Sequence, residues 1–407
     1  MKGMKYFALC IINFALLFSL SGCVEEFEAD IPDGDTDLLV VEGTICANKM
    51  NKFILSRTQS LNSNSSLNSL LPSSGSSRAV IGAIVYVRGS DGSEYSAKQT
   101  EGYYGSYSCW IDDLNPDVEY WLHIETDGDI YESDPQKPLR SERIAEVCGV
   151  QNTPESNIDV LITPDVPFDP DHANYYSWTY DETWEVYPDY KTAIYYDIET
   201  KSVIRKADLF PFHGWKDATG TTIMVGASTS YEGQHIQKLK LYDIYRGDER
   251  VLHRYSGLIH QRAITKAEYE YELARRQASS EMGGLFTPQP SALPTNIHCL
   301  TSSKHVIGYV GCSLNTGDYR FFLRAEDFSI KRPRIVDERI WIDDPTEEQC
   351  CQMVLRGFYL SEWEDPLMSI DHILHTAWAT WAQLDVRSKG AYIEMPEFWS
   401  LEENVSY

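Results

Sequence analysis

Apolar and polar residues alternate in short runs along most of this chain, and the dominant period is two, the period of a strand with one buried face. Residues 38–45 read Leu-Leu-Val-Val-Glu-Gly-Thr-Ile, β-branched and apolar enough for a buried strand. Residues 53–56 suit its hairpin partner. Further strand patterns cover 79–88, 103–110, 121–124 and 130–133, punctuated by Asp91-Gly92 and Asp127-Gly128, dipeptides that accept the positive φ of tight turns. Leu114-Asn115-Pro116 followed by Tyr120 matches a tyrosine corner, in which a Tyr hydroxyl bonds back to the backbone at a sheet corner. Short strands with turns every 8–12 residues predict an Ig-like or fibronectin-like β-sandwich over residues 37–145.

The same periodicity continues beyond residue 146 and predicts a larger β-rich domain over 146–407. Strand patterns fall at 158–162, 175–180, 221–227, 238–245, 251–264, 306–310 and 318–324. The period changes to helical only at 265–278, where Thr265 stands three residues before Glu268 as in a capping box. Ala267, Tyr271 and Ala274 or Ala278 form the stripe expected to pack on a sheet. A second short helix is expected near 370–383. No internal repeat of fixed period occurs. The fold class is therefore mainly β, with one or two short helices.

The amino terminus breaks the pattern. Lys2 and Lys5 precede an apolar run from Tyr6 to Leu20, too short for a comfortable membrane span. Leu20-Ser21-Gly22-Cys23 follows at once. A charged start, a short apolar middle and small residues before the cut describe an export signal. A cysteine at the cut makes residues 1–22 a lipoprotein signal with Cys23 as the lipidated residue. Several acyl chains on Cys23 suffice for stable anchoring. Acidic, aperiodic residues 23–36 then read as a tether, and Ser/Asn/Leu-rich residues 60–77 as a surface loop.

The chain carries 35 basic against 61 acidic residues, a net charge of −26, and loss of Lys2 and Lys5 makes the mature form more negative still. Such a field disfavours nucleic acid and anionic lipid, so the membrane link is expected through the acyl chains alone. Of the nine cysteines, seven remain after Cys10 leaves with the signal and Cys23 is lipidated: Cys46, Cys109, Cys148, Cys299, Cys312, Cys350 and Cys351. An odd number leaves at least one free. Cys299 with Cys312, or Cys46 with Cys148, are conceivable bridges, but spacing does not fix connectivity.

Catalytic signatures are missing: no hydrolase elbow, P-loop, dinucleotide fingerprint or His-Glu-x-x-His occurs. Asp165, Asp169 and Asp171 lack the spacing of a calcium hand, and His372 with His375 offers two ligands on one helix face without a third. No metal or cofactor is expected. The 10 Trp and 26 Tyr are the stronger signal. Buried, they fill cores; exposed, they suit stacking on a ligand or partner. Trp178, Trp184 and Trp215 are the candidates for ligand binding.

Several of these segments, taken in order, resemble the domain-of-unknown-function family DUF4249 of Bacteroidetes-type outer-membrane lipoproteins. They are residues 39–45 soon after the lipidated Cys, Gly102-Tyr103-Tyr104, residues 120–124 and 128–133, and Tyr-Tyr-Ser-Trp-Thr-Tyr-Asp-Glu-Thr-Trp-Glu at 175–185. Residues 264–271, 283–290 and 306–310 follow, then Pro396-Glu397-Phe398-Trp399. The tail departs from the family, since 387–392 replaces a Cys- and Gly-rich stretch. The resemblance implies an envelope lipoprotein beside a TonB-dependent transporter, with no defined catalytic residues. Acidic residues 25–28 after Cys23 resemble the surface-export signal of such lipoproteins and imply a body outside the cell. The expected function is a non-enzymatic accessory that captures a nutrient or braces the transporter. The alternatives are a lipid-anchored surface hydrolase, using Asp181 or Glu182 with His213, and a structural adhesion lipoprotein.

Overall fold

The computed structural model describes residues 37–58, 78–165, 174–280, 293–334, 336–364, 373–400 and 404–406. Cys23, the tether and the loop 60–77 lie outside them, as do Asp169, Asp171 and His372.

Seven strands open the described chain: β1 (Leu39–Cys46), β2 (Lys49–Arg57), β3 (Ile84–Gly89), β4 (Glu94–Gln99), β5 (Ser106–Ile111), β6 (Tyr120–Thr126) and β7 (Asp129–Ser133). Asp127 and Gly128 both take positive φ, 54° and 83°, and turn β6 directly into β7. The Tyr120 hydroxyl accepts the Asn115 N–H at 2.9 Å, closing the corner before β6 while the ring is buried.

The next group is β8 (Ile144–Val150), β9 (Ile158–Pro164), β10 (Tyr175–Val186), β11 (Ile194–Asp197), β12 (Ser202–Arg205), β13 (Gly214–Thr219), β14 (Met224–Ala227), β15 (Leu239–Ile244) and β16 (Arg254–Ala263). Helix α1 (Lys266–Ser280) follows, then β17 (Ile297–Cys299), β18 (Val306–Ser313), β19 (Gly317–Arg324) and β20 (Ile340–Asp343). Helix α2 (Glu347–Leu355), β21 (Phe358–Glu364), β22 (His375–Thr380), the short α3 (Trp381–Leu384) and β23 (Val405–Ser406) complete it. The molecule is mainly β.

The first sheet has nine strands in the order β17-β7-β6-β3-β4-β5-β2-β1-β18. Its two ends come back to face each other, so the sandwich expected from the sequence is one nearly closed, barrel-like sheet. β17 and β18 arrive from residues 297–313, well past the boundary expected at 145. β18 pairs in parallel with β1, from Leu39 opposite Val306 to Cys46 opposite Ser313. Gly308 permits this approach: its φ is +140°, and a Cβ there would lie 2.1 Å from the Val41 carbonyl oxygen. The barrel core joins Leu39, Val41, Phe53, Leu122 and Ile124 to Ile297, Val306 and Val310.

A second sheet, β13-β10-β16-β19-β23 with β14 beside β10, packs against the three-stranded β15-β9-β8. In β9 the pattern is strict: Ile158, Val160 and Ile162 are fully buried while Asp159, Leu161 and Thr163 are not. A third, smaller core gathers Tyr196, Cys350, Met353, Leu360 and Trp378 between β11, α2 and the β20-β22-β21 sheet.

Two helical expectations change. His375 opens strand β22 and holds Asp343 through Nδ1 at 2.7 Å, so the helix expected near 370–383 shrinks to α3. On α1 the Thr265 hydroxyl accepts the Glu268 N–H at 3.1 Å, but the Glu268 carboxylate turns to Arg262 and does not complete a capping box. The buried face of α1 is Glu268, Tyr271 and Glu272, whereas Ala267 is exposed. An ion pair, rather than alanines, sets the helix orientation.

Candidate ligand-binding cleft

Where the barrel meets the second sheet, a cleft of about 330 Å³ opens. Its wall is the β1–β2 hairpin, which contributes Thr44, Cys46, Lys49, Met50, Asn51 and Lys52. Its floor follows from strand register. On β16, His260 and Arg262 lie two residues apart and so share a face, while Gln261 between them is buried and accepts the Trp178 indole N–H at 2.9 Å. Ser177 pairs with Arg262 and Thr179 with His260 across β10, which brings two hydroxyls beside the two cations.

His260 sits between two carboxylates. Its Nε2 lies 3.2 Å from Asp181 and its Nδ1 3.0 Å from Asp318, its register partner on β19. Burial alone would lower its pKa, but Asp181 and Asp318 outweigh that and push it up to about 9, so the ring is held as imidazolium at neutral pH. Arg262 gives Nη2 to Glu268 on α1, and the pair rests against Gly311, where a Cβ would fall within 2.7 Å of both side chains. The Arg262 Nη1 is buried with no hydrogen-bond partner among the described residues. Burial raises the Cys46 thiol, which holds it protonated rather than as a nucleophilic thiolate.

The Trp candidates lie elsewhere. Trp178, Trp184 and Trp215 are all buried with the second core or against it, and stacking on a ligand needs an open ring face. Trp178 is bonded to Gln261, and Trp215 packs against His213 and Trp399. The residues of the hydrolase alternative are likewise committed apart. Asp181 goes to His260, Glu182 to Arg250 at 2.7 Å and Tyr255 at 2.8 Å, and His213 to Glu185 at 3.3 Å. All seven described cysteines are free thiols, so neither conceivable bridge forms. Among the described residues no cluster of three or more His, Cys, Asp or Glu side chains fits a metal ion.

Sequence reasoning passed over the cleft residues. The available signal was a basic pair two residues apart, His260 and Arg262, inside an otherwise strand-like run, together with Lys49 and Lys52 flanking a buried Asn51.

Two comparisons bear on this chain. A family model described as a domain of unknown function (DUF4249) matches residues 24–317. No curated protein matches it.

Proposed function

The chain belongs to the DUF4249 family, and from that premise we propose that it is a lipid-anchored, non-enzymatic binding module, held at Cys23 in the outer membrane beside a TonB-dependent transporter and facing the cell exterior. The observation that carries the binding role is the chemistry of the cleft. It presents cations and hydroxyls but no nucleophile with a free base, because both nitrogens of its imidazole are occupied by Asp181 and Asp318. Acyl or glycosyl transfer needs an activated nucleophile or a base able to take a proton, and a charge-locked His260 supplies neither. A concave site of this size favours ligand capture over the pure adhesion alternative.

The anchor is supported by the Leu-Ser-Gly-Cys sequence at 20–23. Among the described residues no helix is long and apolar enough to cross a membrane. Labelling of growing cells with radioactive palmitate should mark the wild-type protein and leave Cys23→Ala unmarked. Detergent-solubilised wild type should co-purify with a barrel transporter. An unlabelled wild type, or clean recovery without any transporter, would sink the corresponding half of the proposal.

A further inference from the structure

We propose that the cleft takes a small organic anion, an acidic head group on an apolar or aromatic body. This rests on the binding role above and names the ligand class. Among the described residues no Asp or Glu lines the cleft, although the chain as a whole carries a net charge of −26. Lys49 and Lys52 are exposed on the wall, and among the described residues neither has a carboxylate within 4.0 Å. Asp181 and Asp318, both partly exposed, are spent on His260, and the buried Glu268 is spent on Arg262. These carboxylates hold only His260 and Arg262, which leaves the charges of the exposed Lys49 and Lys52 for the cleft wall. The hydroxyls of Thr44, Ser177 and Thr179 on the cleft lining have no acceptor among the described residues, and neither has the buried Nη1 of Arg262, which lies against Gly311. An anion supplies that acceptor.

The rim explains the apolar body. Met50 and Trp110 pair directly across β2 and β5, and both are more than half exposed, 55% and 53%. The Trp110 indole N–H is bonded to Asp112, which fixes the ring with a face left open. Lys52 stands 5.4 Å from the exposed Tyr103 ring. Apolar surface beside free ammonium groups matches a ligand that is charged at one end and hydrophobic at the other. At about 330 Å³ the cleft falls at the small end of the roughly 300–1,000 Å³ typical of small-molecule sites, which favours a metabolite over a polymer.

The test is calorimetric titration of the mature chain with benzoate, phenylacetate and indole-3-acetate, each beside its neutral amide, and with inorganic phosphate. Concentrations reach about 10 mM, enough to detect a Kd near 1 mM. At least one acid should bind, and its amide should bind about tenfold more weakly or not at all. Lys49→Ala/Lys52→Ala should weaken the acid about tenfold, Trp110→Ala several-fold, and the exposed Lys137→Ala not at all. Phosphate, lacking the body, should bind more weakly than the best acid. Both lysines of the pair are exposed, so circular dichroism should show the variants folded. No binding by any acid, equal binding of acid and amide, indifference to the lysine pair, or phosphate matching the best acid would each overturn the inference. A chain labelled at Cys23 and recovered with a transporter, yet blind to these acids, would fail this inference alone.

Discussion

The Tyr120 ring is buried in the barrel core while its hydroxyl oxygen reaches back to the Asn115 N–H, so deleting that oxygen alone removes an acceptor without opening a cavity. Tyr120→Phe should cost about 1–2 kcal/mol, seen as a lower urea midpoint with an unchanged slope. A midpoint equal to wild type would show that water replaces the hydroxyl at no cost. His260 sets a pH dependence with a definite sign. Its folded pKa is raised, from 6.5 to about 9, because Asp181 and Asp318 prevail over burial. The folded state thus holds a proton that the unfolded chain releases earlier. The stabilisation is complete below about pH 6.5, falls as pH rises, and is gone above about pH 9. Urea midpoints taken across that window should decline for wild type, and His260→Asn should flatten the decline while lowering stability at pH 6. A wild-type profile as flat as the variant's would show that the ring titrates normally.

Helix α1 docks through charge, and that gives a coupling to measure. Glu268 and Arg262 are both largely buried, with side-chain exposures of 5% and 15%. Removing one partner strands the other, so Glu268→Met and Arg262→Met should each cost about 3 kcal/mol. The double variant should be clearly less damaged than the sum of the two, because two apolar side chains of similar length strand no charge. Additive losses in a double-mutant cycle would mean that the pair is not coupled. The same helix shows where the sequence was legible. Its span was visible from residues 265–278, and strands such as β9 and β10 followed from alternation. Its packing was legible only at Tyr271, which is buried as the stripe predicts; beside it the buried residues are not alanines but Glu268, whose partner Arg262 lies on β16, and Glu272, whose partner is Arg275 on the helix itself. The turns at Asp91-Gly92 and Asp127-Gly128 were readable because φ > 0 selects residue type locally. β22 was misread because Ile370 to Gln383 carries helix-compatible spacing, and only pairing with β20 and β21 decides for strand. The cleft was illegible for the same reason: Lys49 and Arg262 meet only once two sheets pack, and no local pattern encodes that meeting.

At the scale of the whole molecule, long-range pairing makes the barrel depend on chain that comes much later. β1 and β18 run in parallel, a pairing that needs a crossover, and here the crossover includes β10, β13, β14 and β16 of the second sheet. The late segment brings more than two strands. Gln136 donates to the Val310 carbonyl at 2.6 Å, Asn296 exchanges hydrogen bonds with both backbone groups of Val310, and the Leu314 N–H donates to the Leu139 carbonyl at 2.8 Å. Ile297, Val306 and Val310 are buried in the barrel core. A fragment of residues 37–145 therefore keeps seven strands but loses both ends of the sheet and one side of its core. It leaves β1 as an unpaired edge of Val and Leu, the geometry that invites aggregation. That fragment is expected to lack a cooperative thermal transition, to bind a hydrophobic dye and to show poorly dispersed amide resonances. The full mature chain should melt sharply under the same conditions. Joining residues 293–317 to the fragment through a flexible linker should restore the transition, because it returns β17, β18 and their core residues. A sharp melt from 37–145 alone would show that the early strands close on themselves and that the β1–β18 seam adds only a docking contact.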